Sequence, residues 1–206
     1  MKGNDTKERL LRVGLDQMSV NGLSGVTLGQ LASASGLSKS GLFAHFRSKE
    51  QLQIQLLDEM AEAADRVVVA PAWRAAEGLP RLVALMDHWL GWSRRAGLNG
   101  GCPVAAALFE LDDVESEVRS HAAKLEQHWR ELLRQLVLAA RTLGHLSIET
   151  DVDQLVWELC GIYLSHHVSS RFRRDDDADA RAKTALAALL RRHQPSPAQT
   201  NPSPKA

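Results

Sequence analysis

TLGQLASASGLSKSGLFAHFRSK, residues 27–49, decides how this chain folds. Thr27 stands where a side-chain oxygen can cap a helix, and Gln30, three residues on, completes the pattern of a capping box. Leu28, Leu31 and Ala32 then recur at helical spacing and supply a buried face. Gly36 stops that helix, Leu37 offers an apolar plug for the turn, and Ser38 is a ready cap for the next helix. Two short helices joined in this way form a helix-turn-helix, whose second helix, about Ser38–Phe46, enters the major groove of DNA. Leu42 and Phe46, four apart, anchor its inner face and leave Lys39, Ser40, Phe43 and His45 toward the outside or the rim. Gly41 costs about 1 kcal/mol relative to alanine in a helix, which makes sense where backbone must approach a duplex closely. Ser48 with Gln51 forms a second capping box, and a helix N-terminus flanked by Arg47 and Lys49 is a natural phosphate clamp.

These residues resemble the tetracycline-repressor (TetR) family of bacterial transcription regulators. The resemblance is carried by Thr27, Leu31-Ala32, Gly36-Leu37-Ser38 and above all GLFAHFRSKEQL, residues 41–52. It implies phosphate and base contacts at Lys39, Ser40, Phe43, His45 and Lys49, with Thr27, Ser38 and Gly41 completing the DNA-facing set. Phe43 departs from the family, which usually has tyrosine there. Lacking the hydroxyl, Phe43 cannot hydrogen-bond a phosphate and keeps only apolar packing, for instance against a thymine methyl. The resemblance further implies a homodimer formed through the last two helices, a near-palindromic double-stranded DNA site, and a helical body enclosing a small-molecule pocket.

Formal net charge over 206 residues is zero, which at first argues against a nucleic-acid partner. The distribution answers it. Up to Lys49 there are seven basic residues against three acidic ones, Asp5, Glu8 and Asp16, so the head carries +4 and the remainder −4. A positive head on an acidic body fits a DNA reader attached to something else. Two cysteines, Cys102 and Cys160, are too few for a secreted disulfide scaffold and lack zinc-site spacing. No apolar run is long enough to cross a membrane, and MKGNDTKERL is not a signal peptide, so a cytoplasmic protein is expected.

The remaining periodicity is helical. A first helix over about Thr6–Asn21 ends at Gly22, and a long one from Ser48 runs through Leu52, Leu56 and Met60 until Pro71. Amphipathic stretches follow over Pro80–Ala96, from Pro103 to about Leu111, from a cap at Asp112 to Gly144, and from Asp151 to about Arg174. The alanine-rich segment Ala178–Arg192 closes the set. Alanine-lined helices approach closely, and the last two can form half of an intermolecular four-helix bundle with Leu155, Leu159, Ile162, His166, Leu186 and Leu189 at the interface. From Gln194 the Pro/Ser-rich tail is expected to be disordered. The expected organisation is all-α: a three-helix DNA-binding domain over 1–48, a ligand-binding and dimerisation domain over 49–193, and a tail over 194–206.

Catalysis needs a nucleophile, a base and an orienting group in one pocket, and no motif here announces them. His121 and His128 share a helix face near Glu117, and a solvated surface explains them better than a metal. Adjacent His166 and His167 diverge on a helix by about 100° and are poorly placed to share an ion. Neither metal nor cofactor is expected. Cys102 is either a thiol activated at a helix N-terminus or a small residue accepted at a cap beside Pro103. An apolar interior to which Met60, Trp89, Trp92, Cys102, Phe109, Trp129, Trp157 and Tyr163 contribute is the candidate sensor, an ordinary core being the plain alternative. The reading is a repressor, not an enzyme, released from its operator by a small apolar or amphipathic molecule. Its rivals are an architectural DNA-binding protein without a ligand and a helical ligand-binding or enzymatic protein whose motif is a packing accident.

Overall fold

The computed structural model describes residues 2–195, including side chains except those of residues 2–5 and Lys39. Eleven helices follow one another, and among the described residues there is no strand: α1 Lys2–Asn21, α2 Leu28–Ser35, α3 Lys39–Phe43, α4 Lys49–Ala64, α5 Ala70–Ala72, α6 Leu79–Trp89, α7 Trp92–Arg95, α8 Pro103–Glu110, α9 Glu117–Thr142, α10 Val152–His167 and α11 Ala178–Arg192. The tail expected over 194–206 lies, beyond Pro195, outside the described residues.

Packing divides the chain into two compact units. The first combines the residues up to Val67 with Gly91–His128, and the second combines Val68–Leu90 with the chain from Trp129 onward. The expected cut after residue 48 is a division by role, whereas by packing the head groups with α7, α8 and the first half of α9.

In the first unit, α1 turns Leu10, Leu15 and Met18 inward, against α4. Gly14 permits the approach, since a Cβ there would lie 2.7 Å from a methyl of Leu56. Helix α1 stops at Gly22 in the left-handed region, as expected for a glycine C-terminal to a helix. Helix α4 continues through a π-helical turn, Asp65–Val69, into α5. Pro71 cannot donate to the preceding turn, and the wider π turn just before it absorbs the loss.

Two expected helices are placed differently. The stretch Pro80–Ala96 is broken between α6 and α7 at Gly91, whose φ is 68°. The longest helix starts at Glu117, and its cap is Ser116, whose Oγ accepts from the Arg119 amide at 3.1 Å. Asp112 instead accepts from the neighbouring amide of Asp113, because an aspartate's short side chain readily closes such local bonds.

The second unit is built on the α10–α11 hairpin. Asp151 caps α10 by accepting from the amides of Asp153 and Gln154, each at 3.0 Å. Leu155, Leu159, Leu186, Leu189 and Leu190 are buried, and Arg192 reaches Glu158 at 2.9 Å. Half-buried His167 titrates below the ordinary histidine range, first because burial disfavours its charged form and then because Arg171 and His166 repel the added proton. A base with a lowered folded-state value stabilises the fold above its ordinary value and loses that contribution as pH falls through the lowered one. Thermal unfolding is therefore expected to show stability declining below about pH 6.5, and His167→Gln should flatten that slope.

Candidate nucleic-acid interface

The reading head assembles as the capping pattern dictates. Thr27 Oγ1 accepts from the Gln30 amide at 3.2 Å and donates to Gln30 Oε1 at 3.0 Å. The reciprocal leg of the box thus closes on the hydroxyl. Helix α2 buries Leu31 and Ala32 and ends at Gly36, whose φ of 72° needs a residue without a Cβ. Ser38 Oγ then accepts from the Gly41 amide at 3.1 Å and lies 3.0 Å from Ser40 Oγ. Ser38 is thereby committed to holding the start of α3.

Helix α3 is shorter than predicted, ending at Phe43. One tighter turn carries the chain on, with the amides of His45 and Phe46 both donating to the Leu42 carbonyl at 2.9 and 3.0 Å. Leu42 and Phe46 are fully buried while Phe43 is 53% exposed. Ser40 is exposed and His45 half-buried, so Ser40, Phe43 and His45 are presented around one anchored turn. The side chain of Lys39 lies outside the described residues. A Cβ at Gly41 would meet only Ser38 Oγ, at 3.3 Å; within the chain, space does not demand a glycine there.

Ser48 caps α4 by accepting from the Gln51 amide at 3.0 Å, and Gln51 Oε1 returns to the Arg47 amide at 2.7 Å. Lys49 is exposed, and its ammonium donates to the Ser24 carbonyl at 3.0 Å. An ammonium has three donors, so this bond holds the side chain in place and leaves others for a phosphate. Lys49→Ala is expected to weaken binding to all duplexes alike and to lower the salt slope by about one. Titrations at several salt concentrations check it, and a change in base preference would show that Lys49 is misplaced here.

The expected effector residues separate. Met60, Trp92, Cys102 and Phe109 belong to the first unit, and Trp89, Trp129, Trp157 and Tyr163 to the second. Phe109 and Trp157 are corrections: each is 64% exposed and lines no interior in this chain. Three of the second group do meet. The rings of Trp89 and Tyr163 stack in parallel at 3.9 Å, and Trp129 tilts against Trp89 at 4.9 Å. Trp129 Nε1 is buried without a hydrogen-bond partner, a cost of about 1–3 kcal/mol that an acceptor would relieve. Cys102 is buried, and its Sγ receives the Ala105 amide at 3.5 Å. It caps α8 and lacks the exposure of a reactive thiol.

The expected interface residues also need correction. Leu155, Leu159 and Leu186 are buried within their own chain, because the hairpin uses them as its own core. Ile162, His166 and Leu189 line a groove of about 540 Å³ on the hairpin, with Trp157, Gly161, Ser165, Arg181, Ala182 and Ala185. His166 is held there by Asp179 at 2.6 Å. The sequence signal for it is the series Trp157, Gly161, Ser165, spaced four apart, which marks one outward helix face on which Gly161 and Ser165 are small. Elsewhere, His121 bonds to Asp58 at 2.7 Å, and among the described residues no three groups could jointly hold a metal. Nor is any helix among them long and apolar enough to cross a membrane.

Comparison with known proteins agrees with this geometry. Residues 10–56 match the family described as bacterial regulatory proteins, tetR family, and residues 78–186 match the tetracyclin repressor-like C-terminal domain. The chain is 26% identical over 188 residues to the nucleoid occlusion factor SlmA of Cronobacter sakazakii, covering 91% of this chain and 94% of that one. It is 24% identical over 190 residues to the HTH-type transcriptional repressor NemR of Escherichia coli K12, covering 89% and 95%. A solved TetR transcriptional regulator from Chloroflexus aurantiacus matches with a TM-score of 0.85 at 26% identity, over 93% of this chain and 97% of that one.

Proposed function

The chain belongs to the TetR family of bacterial transcriptional regulators, and on that premise we propose that it is a homodimeric, cytoplasmic repressor that leaves a near-palindromic operator when a small apolar or amphipathic molecule binds its body. The observation that carries the DNA half is the reading head: a turn anchored by buried Leu42 and Phe46 that displays Ser40, Phe43 and His45, beside a capped helix start bearing Lys49. In this reading the head is 1–48 and the body 49–193. Phe43, more than half exposed, packs against a thymine methyl, Lys39 and His45 serve the groove, and Lys49 and the amides at the start of α4 take phosphates.

The dimer half is supported by the α10–α11 groove. Gly161, Ala182 and Ala185 on its walls let a second hairpin approach closely, giving a four-helix bundle. The two recognition helices then read half-sites about 34–36 Å apart, one turn of DNA. The effector half is supported by the Trp89–Tyr163–Trp129 cluster and its unpartnered indole N–H. The similarity to a protein named as a repressor supports the sign of regulation.

The direct test is binding to DNA flanking the protein's own coding region, compared with random duplex of equal length. Preference by two or more orders of magnitude is expected. Equal affinity for both duplexes would mean an architectural DNA binder without an operator. No binding to either would remove the DNA function.

A further inference from the structure

Within the first unit, the reading head is fastened by more than α4. The chain between α7 and α8 lies against the end of α1. Asn99 donates twice to the Asp16 carboxylate, from its backbone amide to Oδ1 at 2.8 Å and from Nδ2 to Oδ2 at 2.9 Å. The Gly100 amide donates to Ser19 Oγ and the Gly101 amide to the Ser19 carbonyl, both at 2.9 Å. A Cβ on Gly100 would overlap that carbonyl, so only glycine permits this approach. At the far end of α8, the Glu110 carboxylate takes the two consecutive amides of the α1–α2 turn, Leu23 to Oε1 at 3.1 Å and Ser24 to Oε2 at 2.9 Å. The same two residues are held from the other side, where the Leu23 carbonyl accepts from buried Gln53 at 2.9 Å and the Ser24 carbonyl from Lys49 at 3.0 Å.

The segment from Asn99 to Glu110 is therefore pinned to the head at both ends, and one of its pins shares a residue, Ser24, with the lysine of the phosphate clamp. Bonds to a carboxylate are the stronger kind, and both clasps use one. A single continuous helix can bend or roll; a second attachment to α1 and its turn fixes the remaining orientation of the head. We infer that Asn99, Gly100 and Glu110 are positioning residues that set the head's orientation and so determine which half-site spacing the dimer accepts. Each of them is bonded to α1 or to the turn that follows it. The inference rests on the dimeric reading above, and the test distinguishes the two.

The probes are a palindromic duplex selected by the wild-type chain from a random pool, the same duplex with one base pair added or removed at its centre, and a duplex carrying one half-site. The proteins are the full chain and its Glu110→Gln, Asn99→Ala and Gly100→Ala variants. Half-site affinity should be unchanged in the variants, which also shows that their heads are folded. Affinity for the selected palindrome should fall about tenfold, and the altered spacings should be tolerated better than by wild type. Variants that keep both the palindrome affinity and the spacing discrimination overturn the inference. So does a parallel loss on half-site and palindrome, which would make these residues mere supports of the head's own fold. If the wild-type chain itself binds half-site and palindrome equally, the dimeric reading fails and the inference with it.

Discussion

Gly161→Arg should leave the monomer folded and abolish the dimer. In the chain alone, nothing lies within 4 Å of where a Cβ on Gly161 would be, and arginine is the better helix former by nearly 1 kcal/mol. The substitution costs the hairpin nothing, yet it places a long charged side chain in the groove that a second hairpin is proposed to fill. Sedimentation at micromolar concentration should show a monomer. Separating the two heads removes their effective concentration for each other, so affinity for a palindrome should fall by roughly 10²–10⁴-fold while half-site affinity persists. Leu159→Glu should behave differently, because Leu159 is fully buried inside its own chain and an unpaired carboxylate there unfolds the hairpin. A Gly161→Arg protein that remains dimeric and holds its palindrome normally would falsify the placement of the interface.

That contrast shows where the sequence could and could not be read. Capping boxes at Thr27 and Ser48, the cap at Ser38, the glycine after α2 and the Leu42–Phe46 anchor are local devices. Their chemistry acts within four residues, so the order of residue types is enough to place them. Burial that depends on partners far along the chain was less legible. Leu155, Leu159 and Leu186 share the helical spacing of an interface, but the spacing alone does not distinguish a partner hairpin from the chain's own. The useful sign was on the opposite face, where Gly161 and Ser165 are too small to form a core. Likewise the aromatic character of Phe109 and Trp157 suggests an interior, yet both are exposed. Composition says how apolar a body is and leaves the direction of each side chain open. The clasp by Asn99 and Glu110 was not legible at all: it joins residues more than 80 positions apart, and its donors are largely backbone amides, which almost every residue carries.

The second large effect concerns the effector. A small molecule lowers operator affinity only by binding the DNA-incompetent conformation more tightly, and operator DNA must then weaken the small molecule by the same factor. A useful repressor needs a coupling of about 2–3 kcal/mol, roughly 30- to 150-fold. Helix α4 is the proposed transmitter, since it starts at the phosphate clamp and is covalently continuous with the chain leading to the aromatic cluster of the second unit. Trp89, stacked on Tyr163, and Trp129, tilted against Trp89, should report binding through their fluorescence. A compound offering an acceptor to the unpartnered Trp129 Nε1 should bind Trp129→Phe about tenfold more weakly, with operator affinity in its absence unchanged. The measurement is a fluorescence screen of apolar compounds, each hit then titrated with and without the selected operator. Hits that bind equally well in both titrations carry no coupling. If every tight-binding compound behaves so, the body is not an effector sensor, and the aromatic cluster is simply core.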